Sequence, residues 1–147
     1  MINELFIINN IQQIKLSDIM ILISLPFNSI IYILIIFLLY YYNKINYNNL
    51  VLLIFGQILI YLIKNIVKKK RPFIIDKSIK NLETMYIDEY SFPSCHTFNA
   101  FLLFYILKSN SIIPYLVALS RVYLGVHYFS DVIVGAILSK LLYNLTN

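Results

Sequence analysis

Ser120-Arg121-Val122-Tyr123-Leu124-Gly125-Val126-His127-Tyr128-Phe129-Ser130-Asp131 places an arginine, a histidine and an aspartate in one short apolar stretch. Such groups are costly to bury unless they are paired or hydrogen-bonded. Helices that bring them together around one shared polar site accommodate them best. His127 and Asp131 are four residues apart, so on a helix they share a face. The carboxylate can then hold one imidazole nitrogen and leave the other free to attack. Arg121 adds a planar, permanently charged fork suited to phosphate oxygens. The plainer reading of the same run is a helix-end histidine and a structurally paired arginine in a membrane bundle.

Composition sets the surroundings. The chain has 147 residues, of which 60% are hydrophobic and 13% charged. Soluble domains run at about 45–50% apolar and about 25% charged. This chain therefore points to the membrane. No segment is an uninterrupted run of about 20 apolar residues, so the expected spans are short or broken by polar side chains. A single cysteine excludes an internal disulfide. No secretory leader is visible: the first basic residue is Lys15, and no small-residue cleavage site follows an apolar core. The net charge of +5 is compatible with nucleic acid. The basic residues, however, lie beside apolar segments, with no soluble basic domain to present them. An anionic lipid headgroup is the expected partner, and nucleic acid is not.

The expected fold class is all-α: an integral membrane helical bundle of about five spans plus an N-terminal interfacial helix, within one domain covering 1–147. Residues 1–25 form the interfacial region and 27–145 the bundle. Residues 1–16 mix Ile, Leu and Phe with polar groups and read as an amphipathic helix. Ser17 and Asp18 are placed to cap a second short helix to about Leu25, and Pro26 breaks it. The spans follow at 27–42, ending in Tyr40-Tyr41-Tyr42, and at 50–67, beyond a polar turn from Asn43 to Asn49. Residues 68–93 are one long polar connection, a length that is usually functional or disordered. Helices then run from about Ser94 to Lys108, through Pro114 to about Tyr123, and from Phe129 or Ser130 to about Asn144. Gly125 permits a tight bend between the last two. This alternation puts Lys64, Arg71, Ser94, His96, Arg121, His127 and Asp131 on one side, and Lys44 and Lys108 on the other.

Three runs stand on that side. Lys64 is followed, after six residues, by Arg71-Pro72. Phe92-Pro93-Ser94-Cys95-His96-Thr97 comes next, and then Ser120-Arg121, with His127 and Asp131 at fixed spacing. Together they resemble the tripartite signature of the type-2 phosphatidic acid phosphatase superfamily. That signature is Lys, six residues, Arg-Pro; then Pro-Ser-Gly-His; then Ser-Arg, five residues, His, three residues, Asp. The first and third runs match at every defined position. The second departs once, with Cys95 where glycine is usual.

The resemblance implies a metal-free, cofactor-free lipid phosphatase with catalytic His127, His96 and Asp131. It assigns phosphate binding to Lys64, Arg71, Ser94 and Arg121. His127 would attack phosphorus, Asp131 would orient it, and His96 would protonate the leaving oxygen and then activate water. The short chain, with an N-terminal helix carrying Asp18 and Met20, resembles the compact undecaprenyl-diphosphatases. A polyprenyl diphosphate is therefore the expected substrate, with phosphatidic acid or phosphatidylglycerol phosphate as the alternative.

Each residue also has a plainer reading. Lys64 could be a snorkelling helix-end lysine, Arg71-Pro72 a juxtamembrane stop, Ser94 an N-cap and His96 a satisfied interfacial histidine. Two His, one Cys and one Asp lack a recognisable zinc spacing. No phosphate loop follows Cys95 to make it a thiolate nucleophile. A vanadate-dependent haloperoxidase uses a similar constellation, but those relatives are soluble and much longer. A non-catalytic lipid-binding membrane protein would not need the charges. Sidedness is contested. Lys64, Lys68, Lys69, Lys70, Arg71, Lys77, Lys80 and Arg121 make eight of the twelve basic residues. A positive-inside count puts that face in the cytoplasm, whereas the resemblance puts it outside, which is the expectation adopted.

Overall fold

Three of the bundle helices begin where a short polar side chain takes up a free backbone N–H group. In the computed structural model, which describes residues 2–85 and 88–146, Asn28 accepts from the Ile30 amide and opens α3 (Ser29–Tyr41). Asn46 accepts from the Asn49 amide at 2.8 Å and opens α4 (Tyr47–Val67). That cap starts α4 three residues earlier than the apolar run at 50 suggests. Ser94 caps α6 (Cys95–Ile106). Before α3 lie α1 (Ile2–Ile11), α2 (Ser17–Ser24) and a 3-10 turn at Leu25–Phe27 containing Pro26. The short α5 (Pro72–Ile75) precedes α6; α7 (Ile113–Tyr123) and α8 (Phe129–Thr146) complete the bundle. No strand forms among the described residues; one isolated antiparallel bridge joins Lys70 and Tyr90.

Two expectations are corrected in detail. Ser17 and Asp18 do not cap α2. The cap position falls on Leu16 with no side-chain bond, and the Ser17 hydroxyl meets only Asp18, at 3.5 Å. The N-terminal helix stops at Ile11 rather than 16. It also packs onto the bundle, with Ile8 fully buried beside Ile79, Val122, Tyr128 and Val132, while Phe6 stays exposed.

The five bundle helices expected from the sequence are present as α3, α4, α6, α7 and α8. Of the described helices, α4 and α8 alone are long and apolar enough to span a membrane. The segment Ser17–Phe27 with α3 makes a third candidate, bent by 52° at the Pro26 region. With 12 residues, α6 reaches only about 18 Å at 1.5 Å per residue. It is the central helix, and every residue from Thr97 to Leu103 is buried. Neighbouring helices, not lipid or water, therefore surround this stretch of α6. Phe98 and Leu102, both fully buried against Leu53 and Ile60 in the main core, each contribute on the order of 1.5–3 kcal/mol. The outward faces stay apolar: Phe37, Phe55, Ile66, Ile133 and Leu141 are exposed. That suits an integral membrane protein, whose outer surface meets hydrocarbon.

Two glycines fix how the ends of the bundle meet. Gly125 has φ +75, a left-handed turn between α7 and α8, and a Cβ there would lie 2.4 Å from the Lys80 carbonyl. Gly135 lets α8 lie directly on the start of α6. A Cβ there would come within 2.8 Å of the Ser94 carbonyl oxygen, a backbone atom that cannot swing aside. Gly135→Ala should therefore displace α8 from the α6 N-terminus and destabilise the protein by about 1–3 kcal/mol. Thermal unfolding in detergent checks this; an unchanged transition would mean that the contact is looser than described.

Candidate active site

The polar groups converge because four helix ends meet at one edge of the bundle. The last turn of α4 carries Lys64, the first turn of α6 carries His96, and the last turn of α7 carries Arg121. The loop into α8 carries His127, and Asp131 lies in the first turn of α8. Arg71 is the residue before Pro72, at the start of α5. Lys68 ends α4 in the left-handed conformation (φ 51) and turns the chain back so that Arg71 faces the same space. Lys64, Arg71, His96, Arg121 and His127 line one cavity of about 270 Å³, with Asn28, Ser29 and Cys95 on its other side.

Three cations stand in this cavity with almost no water around them. Lys64 is 5%, Arg71 2% and Arg121 0% exposed. Carboxylates from the 68–93 connection answer them. Asp88 accepts from Lys64 Nζ at 3.0 Å and from Arg71 Nη2 at 2.5 Å. Glu83, itself buried, pairs with Arg121 Nη1 at 2.6 Å. Arg71 is held further by the carbonyls of Asp88 and Val126, Lys64 by that of Tyr90, and Arg121 by the Ser24 hydroxyl at 2.9 Å. The Nε and Nη2 atoms of Arg121 are buried with no hydrogen-bond partner. Arg121 is one of the residues that line the cavity, and an anion with several oxygens would satisfy its two unpartnered nitrogens.

His127 Nε2 lies 3.4 Å from Arg71 Nη1, and Nδ1 lies 3.6 Å from Asp131 Oδ2. The second distance is close enough for electrostatic orientation and longer than a hydrogen bond. Burial pushes the His127 imidazole well below its usual range; Arg71, Lys64 and Arg121 push it the same way, and the Ser91 backbone opposes them in part. The ring is thereby held neutral, with a lone pair available. Asp131 is completely buried and accepts from the Tyr128 amide at 2.9 Å.

Six of the seven residues singled out in the sequence thus gather here, five on the cavity wall and Asp131 directly behind His127. Ser94 is the exception. Its hydroxyl is turned into the α6 cap, taking the Thr97 amide at 3.5 Å and the Thr97 hydroxyl at 3.0 Å, and it is not on the cavity wall. Sequence reasoning missed Glu83, Asp88 and Lys69. The only signal for the first two was acidic side chains in a long connection between cationic runs. Lys69 lay hidden in a run of four basic residues that reads as juxtamembrane charge. Cys95, where the signature has glycine, sits 3.5 Å from both the Ser29 hydroxyl and Gln57 Oε1, on the wall rather than in the cluster.

Comparison with known proteins agrees with this architecture. The family model of the PAP2 superfamily matches residues 45–146. The crystal structure of the first transmembrane PAP2 type phosphatidylglycerolphosphate phosphatase from Bacillus subtilis superposes with TM-score 0.76 at 24% identity. It covers 98% of this chain and 82% of its own. The crystal structure of Aquifex aeolicus LpxE superposes with TM-score 0.77 at 20% identity, over 97% of this chain and 93% of its own. Likeness at these identities establishes the fold.

The two carboxylates should differ sharply on removal. Glu83→Gln leaves Arg121 buried without a counter-charge and should cost about 3–5 kcal/mol. Asp88 is half exposed, so Asp88→Asn should cost no more than about 1 kcal/mol. Paired melting curves decide between them, and equal losses would contradict the burial difference.

Proposed function

The chain belongs to the PAP2 superfamily, and from that premise we propose that it is a membrane lipid phosphatase acting on a phosphate or diphosphate headgroup through a phosphohistidine. The observation that carries the reading is Arg121, which lines the same cavity as His127 and has two buried nitrogens without a hydrogen-bond partner. Three cations and a neutral imidazole suit phosphoryl transfer, in which negative charge spreads over the equatorial oxygens and catalysis is mostly positioning and charge stabilisation.

The geometry supports a two-step route. Lys64, Arg71 and Arg121 hold the phosphoryl oxygens, displacing Asp88. His127 Nε2 attacks phosphorus while Asp131, behind Nδ1, orients the ring and favours the charge it acquires. The bond to the leaving oxygen breaks, and His96, which burial and the neighbouring cations hold neutral without substrate, gives that oxygen a proton taken up from the substrate's phosphate on binding. Water then attacks the phosphohistidine and gives a proton to His96. The phosphorus–nitrogen bond breaks, and His127 returns to its neutral state. The charge supplied by three side chains supports a metal-independent route. Ser94 would act by holding the start of α6, and so His96, rather than by touching phosphate.

A polyprenyl diphosphate is the substrate we favour, on the helix carrying Asp18 and Met20 ahead of the first bundle helix. Phosphatidylglycerol phosphate or phosphatidic acid is the second reading, favoured by the likeness to the Bacillus subtilis phosphatase over nearly the whole chain. The cavity is small and lies at the bundle edge, so the headgroup enters and the tail stays in the bilayer. We place the catalytic face outside the cytoplasm. Lys64, Arg71 and Arg121 are buried in the site, and Lys69 is engaged by Asp131, so four of the eight basic residues on this face do not act as free loop charges.

Phosphate release by the purified protein across a panel of lipid phosphates tests the activity and ranks the headgroups. His127→Ala should bring turnover to background on every substrate while the protein still folds. His96→Ala should cost about 10²–10⁴-fold on alkyl monophosphates, less on diphosphates, and least on p-nitrophenyl phosphate, whose leaving group needs little protonation. Equal loss on all three would remove His96 as the acid. Activity should persist in EDTA and fall with orthovanadate; loss in EDTA that magnesium restores would contradict the metal-independent route.

A further inference from the structure

Asp131 is shared, and the partner with the closer contact is not His127. Lys69 Nζ lies 2.6 Å from Asp131 Oδ1 and 3.0 Å from the Ser130 hydroxyl. Oδ2 is taken by the Tyr128 amide at 2.9 Å and faces His127 Nδ1 only at 3.6 Å. Lys69 is itself held in place. Its carbonyl accepts from the Ser91 amide at 2.8 Å, and its ammonium sits 4.1 Å from the centre of the Tyr128 ring and 5.8 Å from that of Phe92. Glu4 of α1 accepts from the Ser130 amide at 2.9 Å, which anchors the other residue that meets the ammonium. This arrangement fixes the carboxylate from two sides before the imidazole is considered.

We infer that Lys69 is a positioning residue for the Asp131–His127 pair: it anchors the Asp131 carboxylate behind the ring and balances its charge, so that the carboxylate orients His127 without holding a proton on it. Resting on the nucleophilic role proposed for His127, this assigns a function to a residue inside the Lys64–Arg71 run that is not one of the signature positions. A fully buried carboxylate facing an imidazole with no other cation would favour the charged ring and block attack. With Lys69 in place the balance is local. Asp131 is neutralised by Lys69, and the remaining charges around His127 are the cations Lys64 from α4, Arg71 before α5 and Arg121 from α7. His96 faces it from α6, and Asp88 and Glu83 are paired with Arg71 and Arg121. Groups behind a directly acting residue commonly change activity by about 10–100-fold when removed.

The test reads the ring itself, so it does not depend on turnover. The chain has two histidines, and in 15N-histidine-labelled full-length protein in detergent micelles the His127 signals are identified by their loss in His127→Gln. Lys69→Met should raise the His127 titration midpoint by about one unit or more, because Asp131 is left unopposed beside it. Lys69→Arg, which keeps the charge, should leave the midpoint where the parent has it. If Lys69→Met does not accumulate, Lys69→Gln keeps a neutral donor to Asp131 and should raise the midpoint too. An unchanged midpoint in the charge-removing variant overturns the inference. Phosphate release is measured alongside: kcat should fall about 10–100-fold in Lys69→Met with KM little changed. A rise in KM at constant kcat would instead make Lys69 a headgroup contact and overturn the inference. A parent protein inactive on every lipid phosphate defeats the phosphatase reading while the titration still stands.

Discussion

Concentrating positive charge inside an apolar bundle is the constraint on which the rest of this structure depends. Lys64, Arg71 and Arg121 are each nearly or wholly shielded from water and face one small cavity. They repel one another, and each loses hydration, so the fold must supply negative charge and carbonyl oxygens close by. Asp88, Glu83 and Asp131 supply the charge, from the long connection and from the start of α8. The carbonyls of Tyr90, Asp88 and Val126 complete the shell. The cations remain under-satisfied, since two nitrogens of Arg121 have no partner. A site with donors to spare and excess positive charge is built for an anion that arrives with several oxygens.

The long connection has a structural reason in these terms. Among the described residues it is the one segment that supplies carboxylates to Lys64, Arg71 and Arg121 together. Asp88 is half exposed while its two partners are buried. In the proposed reaction a phosphate group replaces it without opening the core. Glu83 is buried with Arg121 and behaves as a fixed part of the fold. The N-terminal helix reaches the same place from the other side: Gln12 bonds the carbonyls of Lys80 and Tyr123, and Glu4 meets Ser130. Residues 2–44 lie outside the family match, yet α1 braces the loop that carries His127.

Much of this could be read from the sequence, for local reasons. Ser94 and Pro114 mark helix starts by chemistry confined to a turn, and the Arg121–Asp131 run carries its own spacing. The all-α bundle and the convergence of six of the seven singled-out residues follow from alternating apolar segments and turns. What escaped was pairing over distance. Nothing local says that Glu83 will meet Arg121, or that Lys69 among Lys68, Lys70 and Arg71 is the lysine that reaches Asp131. Ser17 and Asp18 look like a cap, but the helix begins at Ser17 itself with Leu16 at the cap position. Ser94 reads as a phosphate ligand by resemblance, whereas its hydroxyl is committed to the α6 cap. That α6 is enclosed by protein was also hidden, because a short apolar helix reads alike in a protein core and in a bilayer.

The central claim is that His127 carries the phosphoryl group between substrate and water. It is tested most directly by quenching the protein with base within its first turnover on a 32P-labelled lipid phosphate or diphosphate, followed by peptide mapping. The account predicts a phosphoryl group that is stable in base, lost in acid, located on the His127 peptide and absent in His127→Ala. Phosphate release at full rate with no label on His127, or with label on another side chain, would contradict it.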